Sequence, residues 1–219
     1  MSAPIDTRLK LMQTASSLIG ESNYDNVGIV EICKQAGVTK GAFYHHFQSK
    51  ADLFVHANAY EWASIQADLD QIFSPRFTAL EQLQGMLSLA VSRQCKLGEE
   101  VHICGMPSFS SAGQSGCEEL QVRKSIVDLS TKSSVYFSAL ARNLQAEGYL
   151  NADIDAVQTG RVLQQFMQGL LEYGRVFQNF EQFCADLRAG FYQVLGLKQE
   201  YRCFDCMRSK VVECMPERV

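Results

Sequence analysis

"AGVTKGAFYHHFQSK" (residues 36–50) sets three aromatics, two lysines and a His-His pair directly behind a hydrophobic helical repeat. In that repeat, "GIVEICKQA", residues Ile29, Ile32, Cys33 and Ala36 fall at helical spacing, and the pattern breaks at Gly37, which can take the positive φ of a sharp helix–helix turn. After the turn Thr39 is a candidate N-cap, and Phe43 and Phe47 stand four residues apart on one helical face. The spacing predicts two short helices about a tight turn. That is the helix-turn-helix pattern, in which the second helix lies in the major groove of DNA. Ala36, Val38, Phe43 and Phe47 account for the core contacts. Thr39, Lys40, Gly41, Tyr44, His45 and Lys50 are left on the exposed side, a set of hydroxyls, amines and a small gap suited to phosphate oxygens and base edges. A metal reading of His45 and His46 fails on geometry. Helix neighbours point about 100° apart, and neither histidine has a cysteine or carboxylate four residues away.

Outward from this stretch, helical periodicity continues in both directions. "DTRLKLMQTASSLIGESNY" places Leu11, Ala15, Leu18 and Ile19 on one face and stops between Gly20 and Asn23. "SKADLFVHANAYEWASIQADLDQIF" opens with Ser49 as a cap and runs to Ser74-Pro75, a long fourth helix. Beyond Pro75 the pattern predicts a helix over 78–97, an irregular stretch "CGMPSFSSAGQSG", and a long helix over 118–147 ended by Gly148. Asn151 or Asp153 can cap the next helix, with Val162, Leu163, Phe166, Met167, Leu170, Leu171 and Phe177 as its apolar face. A final helix over 180–195 carries Phe183, Leu187, Phe191, Val194 and Leu195 and stops at Gly196. No segment reads as alternating strands, so the expected class is all-α. Two adjacent helices this apolar need a partner surface, and their own copy across a two-fold axis supplies one.

A chain of 219 residues with 47% hydrophobic content can bury a large core without crosslinks. There is no run of eighteen apolar residues, and Asp6, Arg8 and Lys10 stand where a signal peptide would need an apolar stretch. The reading is therefore cytoplasmic, with no membrane partner. Eight cysteines in that reducing compartment are packing residues, metal ligands or sensors rather than a disulfide framework. The net charge of −4 is unevenly spread: residues 1–50 carry a net +1 and the remainder −5. Any phosphate-facing surface belongs to the N-terminal part.

The longer run "ICKQAGVTKGAFYHHFQSKADLF" resembles the signature of the tetracycline-repressor (TetR) family of bacterial transcription regulators, including the Phe-x-x-Lys step Phe47-Gln48-Ser49-Lys50 into the fourth helix. The resemblance is strong over about residues 8–55 and otherwise extends to helix number and length. It implies an N-terminal three-helix DNA-binding domain (1–50), a larger helical ligand-binding and dimerisation domain (51–198) and a cysteine-containing tail (199–219). It further implies a homodimer on a palindromic double-stranded operator, acting as a repressor that a small hydrophobic or weakly polar effector releases, with no cofactor. By the same resemblance Thr39, Lys40 and His45 face bases or nearby phosphates, while Tyr44 and Lys50 contact phosphates. One departure is Val27-Gly28, where the family usually has a Thr or Ser at the start of the second helix; backbone N–H groups beside Gly28 can still meet an anion. The fourth helix, joined to both parts, is the expected lever between effector and DNA.

Met86, Met106, Phe109, Phe137, Phe166 and Tyr173 form the expected apolar effector lining, with Cys104 beside it. The stretches "CGMPSFSSAGQSGC" and "VLQQFMQGLLEYGRV" resemble ligand domains of TetR members that meet electrophiles, oxidants or unsaturated small molecules. That makes a thiol-based redox or electrophile sensor the alternative function. Cys104, at a helix break, and Cys117, near a helix start where the dipole lowers a thiol pKa, are its candidates. Cys33 and Cys184 lie in apolar helical patterns and read as small buried hydrophobes. In "YRCFDCMRSKVVECMPERV", Cys203 and Cys206 are a candidate redox or metal pair. Cys214 is about 16 Å from Cys203 if the tail is helical, too far to share one ion, and the tail equally reads as an amphipathic helix. No phosphate-binding Gly-rich loop, His-Glu-x-x-His or nucleophile elbow is present, so the chain is not expected to be an enzyme.

Overall fold

The computed structural model describes residues 6–22, 24–97, 100–103 and 120–202. In chain order these form α1 (Thr7–Ser22), α2 (Ile29–Ala36), α3 (Lys40–His46), α4 (Lys50–Ile72), α5 (Ala79–Ser92), β1 (Cys95–Leu97), β2 (Glu100–His102), α6 (Leu120–Ala146), α7 (Ala156–Phe177), α8 (Phe180–Leu195) and a closing 3₁₀ turn, Gln199–Tyr201. The class is all-α, as the periodicity predicts, with one small exception: β1 and β2 pair antiparallel, with Cys95 opposite His102 and Leu97 opposite Glu100.

That hairpin corrects the predicted helix over 78–97, which ends at Ser92. The last-turn carbonyls of α5 are closed off by backbone and side chain together: Arg93 N donates to Leu89 O and Gln94 N to Val91 O (both 3.1 Å), while Ser92 Oγ donates to Leu89 O (3.1 Å) and Gln94 Nε2 to Ala90 O (2.7 Å). Three-residue strands are too short to show a period of two in the sequence. A second correction concerns the start of α7. Its cap is Asp155, which accepts from Val157 N (2.9 Å) and Gln158 N (3.1 Å). Asn151, a predicted cap, instead donates through Nδ2 to Gly196 O (2.8 Å), beside the Leu150–Leu197 bridge that ties the end of α6 to the end of α8.

The chain divides into two compact units, Met1–Gln66 with Met106–Thr131 and Ala67–Gly105 with Lys132–Val219. In the first unit α1, α2, α3, the start of α4 and the start of α6 share one core. Leu11, Ala15, Ile32, Ala36, Phe43, Leu53 and Val122 are all at zero exposure in it, and Tyr24 meets Phe54 edge-on at 5.1 Å. In the second unit α7 and α8 form an antiparallel pair around Leu163, Leu187, Phe191 and Leu195, all fully buried. Close approach of α6 and α7 depends on Gly160, since a β-carbon there would stand 2.6 Å from Ser138 N and 2.8 Å from its Cα. Buried amides join the helices: Gln164 Nε2 donates to Ser133 Oγ and Asn143 Nδ2 to Gln82 Oε1, both at 2.8 Å. No helix among the described residues is long and apolar enough to cross a membrane.

Candidate nucleic-acid interface

The turn between α2 and α3 is built as a left-handed cap. Gly37 adopts φ +63° and donates to Lys34 O (3.2 Å), while Val38 N donates to Cys33 O (2.9 Å), so the carbonyls ending α2 are satisfied. Two residues later Thr39 Oγ1 accepts from Ala42 N (3.1 Å) and starts α3. At the other end Phe47 N donates to Phe43 O (2.9 Å) and the chain leaves the helix in extended conformation. A seven-residue helix would not persist alone in water. It is held here by its caps and by Phe43 and Phe47, at zero and 1% exposure in the shared core.

Burying Phe43 and Phe47 turns the opposite side of α3 outward. Lys40, Gly41, Tyr44 and His45 are exposed, together with Thr39 just before the helix, whereas Ala42 and His46 are half-buried. The Tyr44 ring stands edge-on to Phe43 (5.2 Å, 82°), which orients an otherwise outward-pointing phenol. The Thr39 hydroxyl accepts from Ala42, leaving its own proton to donate outward. At Gly41 an added β-carbon would meet only Thr39 Oγ1, at 3.7 Å, and at exposed Gly28 it would meet nothing within 4 Å. Packing within the chain therefore requires neither glycine, and both leave open space on the outer surface. Gly28 starts α2 without a side-chain cap, its carbonyl accepting from Ile32 N (3.1 Å).

Lys50 sits differently from the other candidates. Its Nζ donates to Tyr24 O (2.8 Å) and lies 4.0 Å from the centre of the Tyr24 ring, clamping the α1–α2 connection to the start of α4. One of its three N–H donors serves that bond, and two remain. The entry into α4 is fixed by Ser49 Oγ, which accepts from Asp52 N (3.0 Å), and by Asp52 Oδ2, which accepts from Gln48 N (2.9 Å). Two basic residues that the sequence reading counted only as charge also flank α3. Arg8 lies over the Phe47 ring at 5.3 Å, and the Lys10 ammonium is 3.7 Å from where a β-carbon on Gly37 would be. Nothing in the local spacing of α1 announces either contact, because each is made across the fold.

The candidate effector residues are brought together only in part. Phe137 and Phe166 both contact Phe191, at 6.2 and 6.1 Å between ring centres, and Met86 is buried in α5. Tyr173 is half exposed and stacks on Phe177 at 4.1 Å, away from that ring cluster. Cys104, Met106, Phe109, Cys117, Cys203 and Cys206 lie outside the described residues. Burial pushes the Cys33 thiol up, partly offset by Lys40, and pushes the Cys184 thiol up against a smaller opposing effect of Arg188. Among the described residues no group of three His, Cys, Asp or Glu side chains could hold a metal ion.

A capped two-helix turn with a polar, basic outer face on its second helix defines a helix-turn-helix protein of the nucleic-acid-reading type. Residues 11–57 match the model of the family described as "Bacterial regulatory proteins, tetR family". The transcriptional regulator AcuR of Cereibacter sphaeroides is 31% identical over 156 residues, covering 66% of this chain and 65% of AcuR, just under two thirds of that protein's length. The uncharacterised HTH-type transcriptional regulator YxaF of Bacillus subtilis is 24% identical over 165 residues, 75% of this chain and 82% of that one. Among solved structures, a TetR-family transcriptional regulator from Agrobacterium tumefaciens superposes with a TM-score of 0.75 at 17% identity, over 85% of this chain and 96% of that one. The reduced form of E. coli NemR superposes at 0.70 and 19% identity, over 84% and 96%. Over residues 11–57 the chain is thus of the TetR type.

Proposed function

We propose that the protein is a homodimeric DNA-binding transcriptional regulator, a repressor that leaves a palindromic operator when a small effector binds, and not an enzyme. The observation that carries this reading is the outer face of α3, where Thr39, Lys40, Gly41, Tyr44 and His45 are presented together by a helix whose other face is locked into the core. Thr39, Lys40 and His45 would meet bases or adjacent phosphates, Tyr44 would donate its hydroxyl to a phosphate, and Lys50 would use its remaining donors in the same way. Backbone N–H groups beside Gly28 would add an uncharged contact.

Dimerisation is supported by α7. Its exposed positions include Val157, Val162, Tyr173, Val176 and Phe177. Val162, Gly169, Tyr173 and Val176 recur at intervals of seven, four and three residues, the spacing of one helical stripe, and a β-carbon at Gly169 would meet nothing within 4 Å. A stripe of this kind on a monomer marks an interaction surface, and a two-fold copy would set two α3 helices about one DNA turn apart. We assign DNA reading to residues 1–50 and effector binding and dimerisation to 51–198, with a hydrophobic or weakly polar effector near Met86, Phe137 and Phe166.

The test is mobility shift of the DNA upstream of the protein's own gene, with salt varied. Binding to a short palindrome that weakens steeply with salt is the expected result; no sequence-specific binding at any salt would overturn the proposal. Adding diamide to the same assay separates the two sensing modes. Reversible release by diamide would assign sensing to thiols, and indifference would assign it to a non-covalent effector.

A further inference from the structure

At the centre of the outward face of α3 stands a residue that the chain itself does not need. At about 100° per residue, Gly41 and His45 both lie about 160° around the helix from Phe43, the side chain that anchors α3 in the core. They stand one turn apart, and both are exposed. Glycine inside a helix is less stable than alanine, because it has more backbone freedom to lose. Nothing within the chain offsets that loss here. The backbone does not call for glycine, since the described glycines at positive φ are Gly37, Gly148 and Gly196. Packing does not call for it either: an added β-carbon would meet Thr39 Oγ1 at 3.7 Å, an ordinary contact. Gly160 and Gly190 are the opposite case, since their β-carbons would strike Ser138 and Phe166. A glycine that serves neither conformation nor packing, at the middle of an exposed face, leaves room for close approach by something outside the chain.

We propose that Gly41 is a specificity-determining residue, and that the methyl-sized gap it leaves takes the 5-methyl group of one thymine in each operator half-site. The proposal rests on the regulator reading and deepens it by naming a base that the site selects. Glycine brings no side-chain donor or acceptor to the gap, so the occupant is chosen by shape. In the major groove the thymine methyl is the apolar group that projects from the base edges. The polar side chains around the gap, Lys40, Tyr44 and His45, are exposed on the same helix and meet phosphates and polar base edges beside it. Alanine at this position would put its own methyl where the thymine methyl must go, and would hold α3 away from the bases.

The experiment exchanges one methyl group between protein and DNA. Wild type and Gly41→Ala are compared by thermal unfolding and by fluorescence anisotropy on the palindrome recovered upstream of the protein's own gene. The same palindrome is then made with each thymine replaced in turn, in both half-sites, by uracil, which lacks the methyl. Gly41→Ala should melt at or above the wild-type temperature. On the unmodified operator it should bind about tenfold or more weakly, because two methyl groups compete for one space. At one thymine, the uracil replacement should cost the wild type about fourfold per half-site, as expected for one lost methyl burial. On that same uracil operator Gly41→Ala should recover to within about threefold of the wild type on thymine, since its β-carbon now fills the gap. At every other thymine the deficit of the variant should persist.

Unchanged affinity of Gly41→Ala for the unmodified operator would overturn the proposal. So would a weakening that no uracil position relieves, which would give the gap to the sugar–phosphate strand, or a half-site that contains no thymine. A lower melting temperature for Gly41→Ala would make the glycine a requirement of the fold and overturn it equally. Binding of the wild type to the unmodified operator is the control for the regulator reading: its absence would fell that reading and this proposal with it, whereas the other outcomes strike the proposal and leave the regulator standing.

Discussion

Tyr44→Phe isolates one atom of the proposed interface. The phenol is 58% exposed, its ring is held edge-on to Phe43 at 5.2 Å, and the substitution leaves ring and packing intact. Folding stability should therefore stay within about 0.5 kcal/mol of wild type. If the hydroxyl donates to a phosphate, the lost bond is to a charged acceptor, worth about 1.5 kcal/mol or somewhat more. That is about tenfold in affinity for each half-site, and about a hundredfold for a dimer whose two half-sites contribute equally. Fluorescence anisotropy on the operator, run beside thermal unfolding, measures both quantities. Because Tyr is neutral, the slope of log affinity against log salt should not change. Unchanged affinity at unchanged melting temperature would refute the placement of Tyr44 at phosphate. A parallel loss of stability and affinity would show that the hydroxyl serves the fold.

Lys50→Met should lower stability by about 1–2 kcal/mol, because it removes both the bond to Tyr24 O and the cation over the Tyr24 ring. It should also reduce the salt slope by about one if the ammonium reaches phosphate; chemical denaturation and salt titration read the two effects separately. Gly160→Ala should destabilise by about 1–3 kcal/mol, since its β-carbon would be driven against the Ser138 backbone rather than a movable side chain. An unchanged unfolding midpoint would show that α6 and α7 part freely. Glu81 completes a capping box with Thr78, and the bonds from the Thr78 backbone and hydroxyl hold its carboxyl below the ordinary 4.5. A depressed folded-state pKa contributes stability that is present above the unfolded value and lost as pH falls through the folded one. The acid limb of the stability curve, below about pH 4.5, should thus be shallower in Glu81→Gln. Cys33 and Cys184, both pushed up by burial, should react slowly with iodoacetamide at pH 7. The double variant Cys33→Ala/Cys184→Ala should keep any diamide response, and loss of that response would locate the sensor in one of these two thiols.

The helix-turn-helix is legible in the sequence because everything that forms it is local. Gly37 permits the left-handed cap, Thr39 bonds to Ala42 three residues on, and the four-residue spacing of Phe43 and Phe47 selects the buried face, hence also the exposed one. The same holds for the Ser49 cap of α4 and for the terminal glycines Gly148 and Gly196, both at positive φ. These signals act over one helical turn, within which chain order and spatial order coincide. The end of α5 at Ser92, the choice of Asp155 over Asn151 as a cap and the separation of Tyr173 from the Phe137–Phe166–Phe191 cluster were decided by tertiary structure. So were the Lys50–Tyr24 clamp and the placing of Arg8 and Lys10 beside α3. Each depends on which atoms meet across gaps of tens of residues, where the partner, not the spacing, determines whether a polar group is satisfied.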